Sequence, residues 1–156
     1  MPPTPHFVVV RADWLRDEAD VARVRREVFI EEQGVPESLE WEPLDAECAW
    51  FIARGGAMVD AGDAAGEVVG VVRLTPDARI GRMAVRACWR RRGLGAALLA
   101  AAMEEARRLG YGGVRLSAQT HALPFYARFG FRTEGGVYQD AGIPHVAMSF
   151  TFKDFS

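Results

Sequence analysis

The sequence predicts an α+β protein built around a sheet. Short β-branched runs alternate with two long segments of helical period, in the order β-α-β-β-β-α-β-α-β-β. Only the strands flanking the second long helix have a crossover that would set them parallel. No composition break or internal repeat divides the 156 residues, so a single domain over 1–156 is expected.

Each element has its own signal. His6 to Arg11 is a β-branched run, read as a strand. From Asp17 to Gln33, Val21, Val24 and Val28 recur at helical spacing before Gly34 and Pro36 close the segment. Residues 35–47 hold several acids and no base, a loop by composition. Cys48–Arg54, Glu67–Thr75 and Arg79–Arg86 read as strands, the first two joined by a Gly-rich hairpin loop over Gly55–Gly66. Gly93–Leu109 is the second long helix, with Leu94, Ala97, Leu98 and Ala101 as its apolar stripe. Val114–Ala118 is a strand and Ala122–Phe129 a short helix ended by Gly130. Phe131–Val137 and Val146–Phe152 complete the sheet.

Composition excludes several classes of function. Nineteen basic against 21 acidic residues leave a net charge of −2, which argues against a surface that coats nucleic acid or anionic lipid. No run of about 18 apolar residues is present, and the start of the chain has no secretion pattern. Cys48 and Cys88 cannot make a disulfide framework and are expected reduced in a cytoplasmic protein. The three histidines and two cysteines show no paired ligand spacing, so no metal is expected.

The segment that carries chemistry is Arg90-Arg91-Arg92-Gly93-Leu94-Gly95-Ala96, where a strand empties into a turn and a helix begins. Three cations there oppose the helix dipole and one another, and a bound anion would resolve the conflict. Free amides of the first turn would take phosphate oxygens and the glycines would admit them closely. A solvated Arg turn with glycines for tight packing is the alternative reading of the local spacing. A Walker A loop is absent, and Leu98 stands where the third glycine of a dinucleotide fingerprint belongs.

Met83-Ala84-Val85 followed by Arg90-x-x-Gly93-x-Gly95 resembles the acyl-CoA signature of the GNAT (N-acetyltransferase) superfamily. Ala122-Leu123-Pro124-Phe125-Tyr126 through Gly130-Phe131 resembles the same family's second motif, in the right order downstream. Over nearly its whole length the chain resembles the ElaA-like branch, through Arg26–Gln33, Ala118-Gln119 and Gly142–Met148. It departs from that branch at Trp50, where His is expected.

The resemblance implies a mixed, twisted sheet splayed between strands 79–86 and 113–118, flanked by helices. It implies acetyl-CoA as cosubstrate, its pantetheine arm paired with the backbone around Met83, Ala84 and Val85. The pyrophosphate would rest on the amides of Arg91, Arg92, Gly93, Leu94, Gly95 and Ala96, with Arg90 or Arg92 adding charge. Transfer of an acetyl group to a primary amine then needs an acid for the leaving thiolate and a base for the amine. Tyr126 is the family-equivalent acid; by spacing alone it also reads as one of the aromatics anchoring a short helix. Glu31, Glu32 and His145 are candidate bases, each with a plain reading as a solvated charge or a satisfied turn histidine. Cys88, beside the arginines, is read as filler rather than a nucleophile. The acids of 31–47 read as a solvated face, or as an attractant for a cationic amine. A non-catalytic acyl-CoA sensor of the same fold is the alternative, and an RNA-binding module fits poorly. GNAT relatives are often dimers, so a homodimer is compatible.

Overall fold

A computed structural model describes residues 6–56 and 66–153. The hairpin loop read over Gly55–Gly66 therefore lies largely outside the described residues. β1 (His6–Arg11), β2 (Ala49–Gly56), β3 (Glu67–Leu74) and β4 (Ile80–Val85) form an antiparallel sheet in chain order. β5 (Gly113–Gln119), β6 (Arg132–Asp140) and β7 (Ile143–Thr151) form a second one, ordered β5-β7-β6. Among the described residues the two sheets share one parallel bridge, Arg79 with Arg115, backed by the Arg115 N–H to the Ala78 carbonyl at 3.0 Å. Beyond it β4 and β5 no longer pair, which gives the splayed, mixed sheet of the expected α+β class.

A bulge helps to open the splay. The β3–β4 register slips between Val71 and Arg73, and Arg82 opposite takes a φ of 50°. An extra residue on one strand bends it away from its old line. The Arg86 N–H donates to the Val69 carbonyl at 2.9 Å. Alternation along the ladder then turns Ala84 toward β3 and leaves the polar backbone of Val85 and Met83 on the free edge facing β5.

Both faces of β3 are covered. α1 (Trp14–Arg25) and the turn after it bury Val21, Val24 and Val28 against Trp50, Ile52, Val68, Val71 and Ala84. α3 (Leu94–Arg108) covers the other face with Leu94, Leu98, Leu99, Ala102 and Ala106. Burying one such valine or leucine contributes about 1.5–3 kcal/mol, so a charge at Val24 would undo the α1 contact. Ala97 and Ala101, read as part of the α3 stripe, are only partly buried. In an alanine-rich helix the period alone does not choose between neighbouring faces.

Several boundaries differ from the sequence reading. α1 begins at Trp14, not Asp17, because the Asp13 side chain caps it by accepting the Arg16 N–H at 3.2 Å. Its continuation, Arg26–Glu32, is a π-helix in which the Gln33 N–H reaches back to the Val28 carbonyl at 3.1 Å. The acidic segment is no plain loop: it holds the short helix α2 (Glu37–Glu40) and a 3-10 turn, Pro43–Glu47. Nor is it wholly solvated, because Glu40 and Asp45 are buried against Arg25, Arg73 and Arg82. β6 and β7 run closer together than expected, joined by Ala141 and Gly142, both left-handed.

Candidate active site

The splay opens a cleft of about 660 Å³. β4 supplies Met83, Ala84 and Val85 to its wall, and β5 supplies Leu116, Ser117 and Gln119. The π-helical turn adds Glu32 and Gln33, and α4 (Leu123–Arg128) adds Phe125 and Tyr126. A turn widened to i→i−5 bonding re-aims the side chains it carries, and such turns recur at functional sites. Here it brings Gln33 to the far wall, where its amide oxygen accepts from Gln119 at 2.9 Å.

The head of α3 stands beside this cleft. Gly93 has a φ of 87° and Arg91 one of 63°, so the chain turns into the helix through two left-handed residues. Glycine accepts this freely; arginine does so at a cost. The first backbone bond of the helix runs from the Ala97 N–H to the Gly93 carbonyl. The amides of Arg91, Arg92, Gly93, Leu94, Gly95 and Ala96 donate to no acceptor among the described residues. A Cβ on Gly93 would meet open space, and one on Gly95 only ordinary contact with Phe125 at 3.7 Å. Packing within the chain therefore does not explain the small residue at Gly95.

The three arginines divide their work. Arg90 lines the cleft, donates from Nε to the Val85 carbonyl at 2.9 Å, and forks onto both carboxylate oxygens of Glu32 at 2.6 Å each. Arg92 lies over Trp89, 5.2 Å from the ring centroid. Arg91 is exposed and makes no ion pair among the described residues. The crowding that a bound anion would resolve is thus partly relieved inside the chain. The unpaired amides, rather than the cations, are what now mark this corner.

Tyr126 reaches the cleft with its ring edge-on to Phe125 and Phe131. Its hydroxyl bonds to no group among the described residues, and burial pushes its pKa up to about 12. His145 sits on β7 between Gln119 and Tyr138 and is 9% exposed. It is a strand residue, not a turn residue. Its Nδ1 lies 2.7 Å from the Ile143 carbonyl, which can only accept, so Nδ1 carries the proton and Nε2 the lone pair of the neutral ring. Hydrogen bonds from Arg90 hold Glu32 below the usual carboxylate range. Glu31 does not line the cleft, and exposed Cys88 does not either. Trp50 is core: it is 1% exposed, stacks on Trp14, and donates from Nε1 to the Asp45 carbonyl.

Residues 29–152 match the acetyltransferase (GNAT) domain. The chain belongs to the GNAT acetyltransferase family. Bacillus subtilis (strain 168) YjcF, named an uncharacterized N-acetyltransferase, is 33% identical over 133 residues, 83% of this chain and 89% of its own. An acyl-CoA N-acyltransferase from Pseudomonas aeruginosa is 28% identical with a TM-score of 0.72, over 94% of this chain and 99% of that one. Escherichia coli ElaA shares the fold at the same TM-score and 22% identity, over 94% and 99%.

GNAT proteins use acyl-CoA donors; of the residues expected to hold one, Met83, Ala84, Val85 and Arg90 line this cleft, whereas Arg91–Ala96 do not. Sequence reasoning missed other residues of the same GNAT cleft: Gln33, Arg73, Arg82, Ser117 and Asp140 also line it. The signal for Arg82 was slight, one more arginine in a strand whose bulge no local pattern announces. Among the described residues no group of three or more His, Cys, Asp or Glu is placed to hold a metal, and no helix is long and apolar enough to cross a membrane.

Proposed function

We propose that this chain is an acetyl-CoA-dependent N-acetyltransferase, acting in the cytoplasm as one acyl-CoA-binding domain, that moves an acetyl group directly to a primary amine. One observation carries the reading. A cleft with a β4 edge that no strand covers, and Tyr126 in its wall, is lined at one point by Arg90, the residue before six consecutive amides without partners at the head of α3. A pantetheine arm pairs with Met83 and Val85, and a diphosphate takes the amides of residues 91–96. Arg90 must leave the Val85 carbonyl when the arm arrives, and it then stands beside the incoming phosphates.

In the reaction the amine nitrogen attacks the thioester carbon and a carbon–nitrogen bond forms. The Met83–Val85 edge supplies N–H donors to the developing oxyanion. His145 Nε2 takes the amine proton; its tautomer supports this role, whereas Glu32 is neutralised by Arg90. The carbon–sulfur bond breaks, and Tyr126 gives its proton to the thiolate. Its raised pKa keeps that proton in place at neutral pH.

The test is calorimetric titration with acetyl-CoA, followed by incubation with pooled amines and mass spectrometry for acetylated products. Saturable binding and a product dependent on Tyr126 support the reading. Binding with no acetyl transfer to any amine class leaves the acyl-CoA sensor instead.

A further inference from the structure

On the side of the sheet that carries α1, the cleft wall is cationic. Arg73 of β3 and Arg82 of β4 both line it, and Arg73 is only 8% exposed. The carboxylates that balance them stand behind. Asp45 accepts from Arg73 Nη1 at 2.8 Å and Glu42 from Arg82 Nη2 at 2.7 Å, while Glu40 lies 3.3 Å from Arg82 Nε. None of these three acids lines the cleft.

Each guanidinium is therefore gripped from the rear. No acceptor among the described residues takes a hydrogen bond from Arg73 Nη2 or Arg82 Nη1. The buried, unpartnered atoms of these two residues are their Nε groups alone, so Arg73 Nη2 and Arg82 Nη1 keep some accessible surface, on residues that both line the cleft. Arg25, fixed between Trp41 and Trp50, donates to both Glu40 and Asp45 and so holds the backing acids still. Arg82 is set by the bulge and its left-handed φ. Two fixed forks with free donors, in a cleft whose Glu32 is already engaged by Arg90, select a planar anion.

We infer that the acceptor is an amine that also bears a carboxylate, held by Arg73 and Arg82 while its amine faces the thioester. This inference rests on the acyltransferase reading. It also sets aside the second reading of acidic residues 31–47, as an attractant for a cationic amine, because Glu32, Glu40, Glu42 and Asp45 are engaged by arginines.

The experiment compares each of several amino acids with the amine left by its decarboxylation, using acetyl-CoA as donor. The amino acid is expected to show a kcat/KM about 10- to 100-fold higher, the range for hydrogen bonds to a charged group. In Arg82→Gln that ratio falls to near one, chiefly through KM. Decarboxylated amines used as well as or better than their parents overturn the inference. Arg82 is the better variant because it is partly exposed, whereas Arg73→Gln risks the fold. A second arm needs no turnover: N-acetyl amino acids and their uncharged amides are titrated into the protein without CoA. Binding of the acids alone, lost in Arg82→Gln, upholds the anion site even if acetyl-CoA fails to bind and the acyltransferase reading falls. Equal binding of acids and amides overturns it.

Discussion

Replacing Arg25 with methionine keeps a long side chain but removes a charge from a place water does not reach. The guanidinium is 1% exposed and donates to Glu40 Oε2 at 2.8 Å, to Asp45 Oδ2 at 2.9 Å and to the Glu40 carbonyl at 2.6 Å. Its centre lies 4.9 and 5.0 Å from the ring centroids of Trp41 and Trp50. In the native chain Arg25, Arg73 and Arg82 face Glu40, Glu42 and Asp45. Without Arg25, two cations face three acids, and Glu40 keeps only Arg82. Breaking a buried pair costs about 3–5 kcal/mol, where an exposed pair contributes about 0–1. For a chain of this size the loss lowers Tm by roughly 6–20 °C. Burial already raises the pKa of Glu40, and losing Arg25 raises it further. A carboxyl with a raised folded pKa holds its proton more tightly folded than unfolded. The deficit therefore narrows as pH falls through that folded value and is widest at neutral pH. Paired urea melts at pH 7 and pH 5 check both points. A loss under about 1 kcal/mol at pH 7, or one that does not shrink at pH 5, refutes the reasoning.

Other outcomes follow from the cleft. Tyr126→Phe lowers kcat about 10²-fold with acetyl-CoA affinity nearly unchanged; steady-state kinetics and calorimetry separate the two. His145→Gln lowers kcat about 10²- to 10⁴-fold, whereas Glu32→Gln changes it less than about tenfold; the opposite ranking would move the base to Glu32. Gly93→Ala meets no steric neighbour but must hold a φ of 87°, so it costs about 1–2 kcal/mol in chemical denaturation and weakens CoA binding by shifting the helix head.

The sequence made the frame readable because its signals are local. Val21, Val24 and Val28 mark a helix face, the valine run of β3 a buried strand, and Arg90-x-x-Gly93-x-Gly95 the turn into α3. What stayed hidden depends on distant partners. Glu40 and Asp45 read as solvated acids because Arg25 lies 15 and 20 residues before them and Arg73 lies 28 residues beyond Asp45. Arg90 read as a free cation because Glu32 stands 58 residues away. The π-turn at Arg26–Glu32 keeps a nearly helical period and leaves no compositional trace. Trp50 departs from the ElaA-like pattern at a position that is simply core, stacked 5.4 Å from Trp14. Of the residues that the motifs name, Met83, Ala84, Val85, Arg90 and Tyr126 line the cleft, whereas Arg91–Ala96 do not. The candidate site was illegible on the α1 side, where Arg73, Arg82 and Gln33 meet only through the fold.

The most direct test of where a donor sits is amide-resolved NMR during titration with CoA. The account predicts large, saturable shifts at Arg91 through Ala96, together with Met83 and Val85 and the release of the Arg90 Nε from the Val85 carbonyl. Saturation of binding with those amides unmoved, and shifts confined to another face of the sheet, would contradict it.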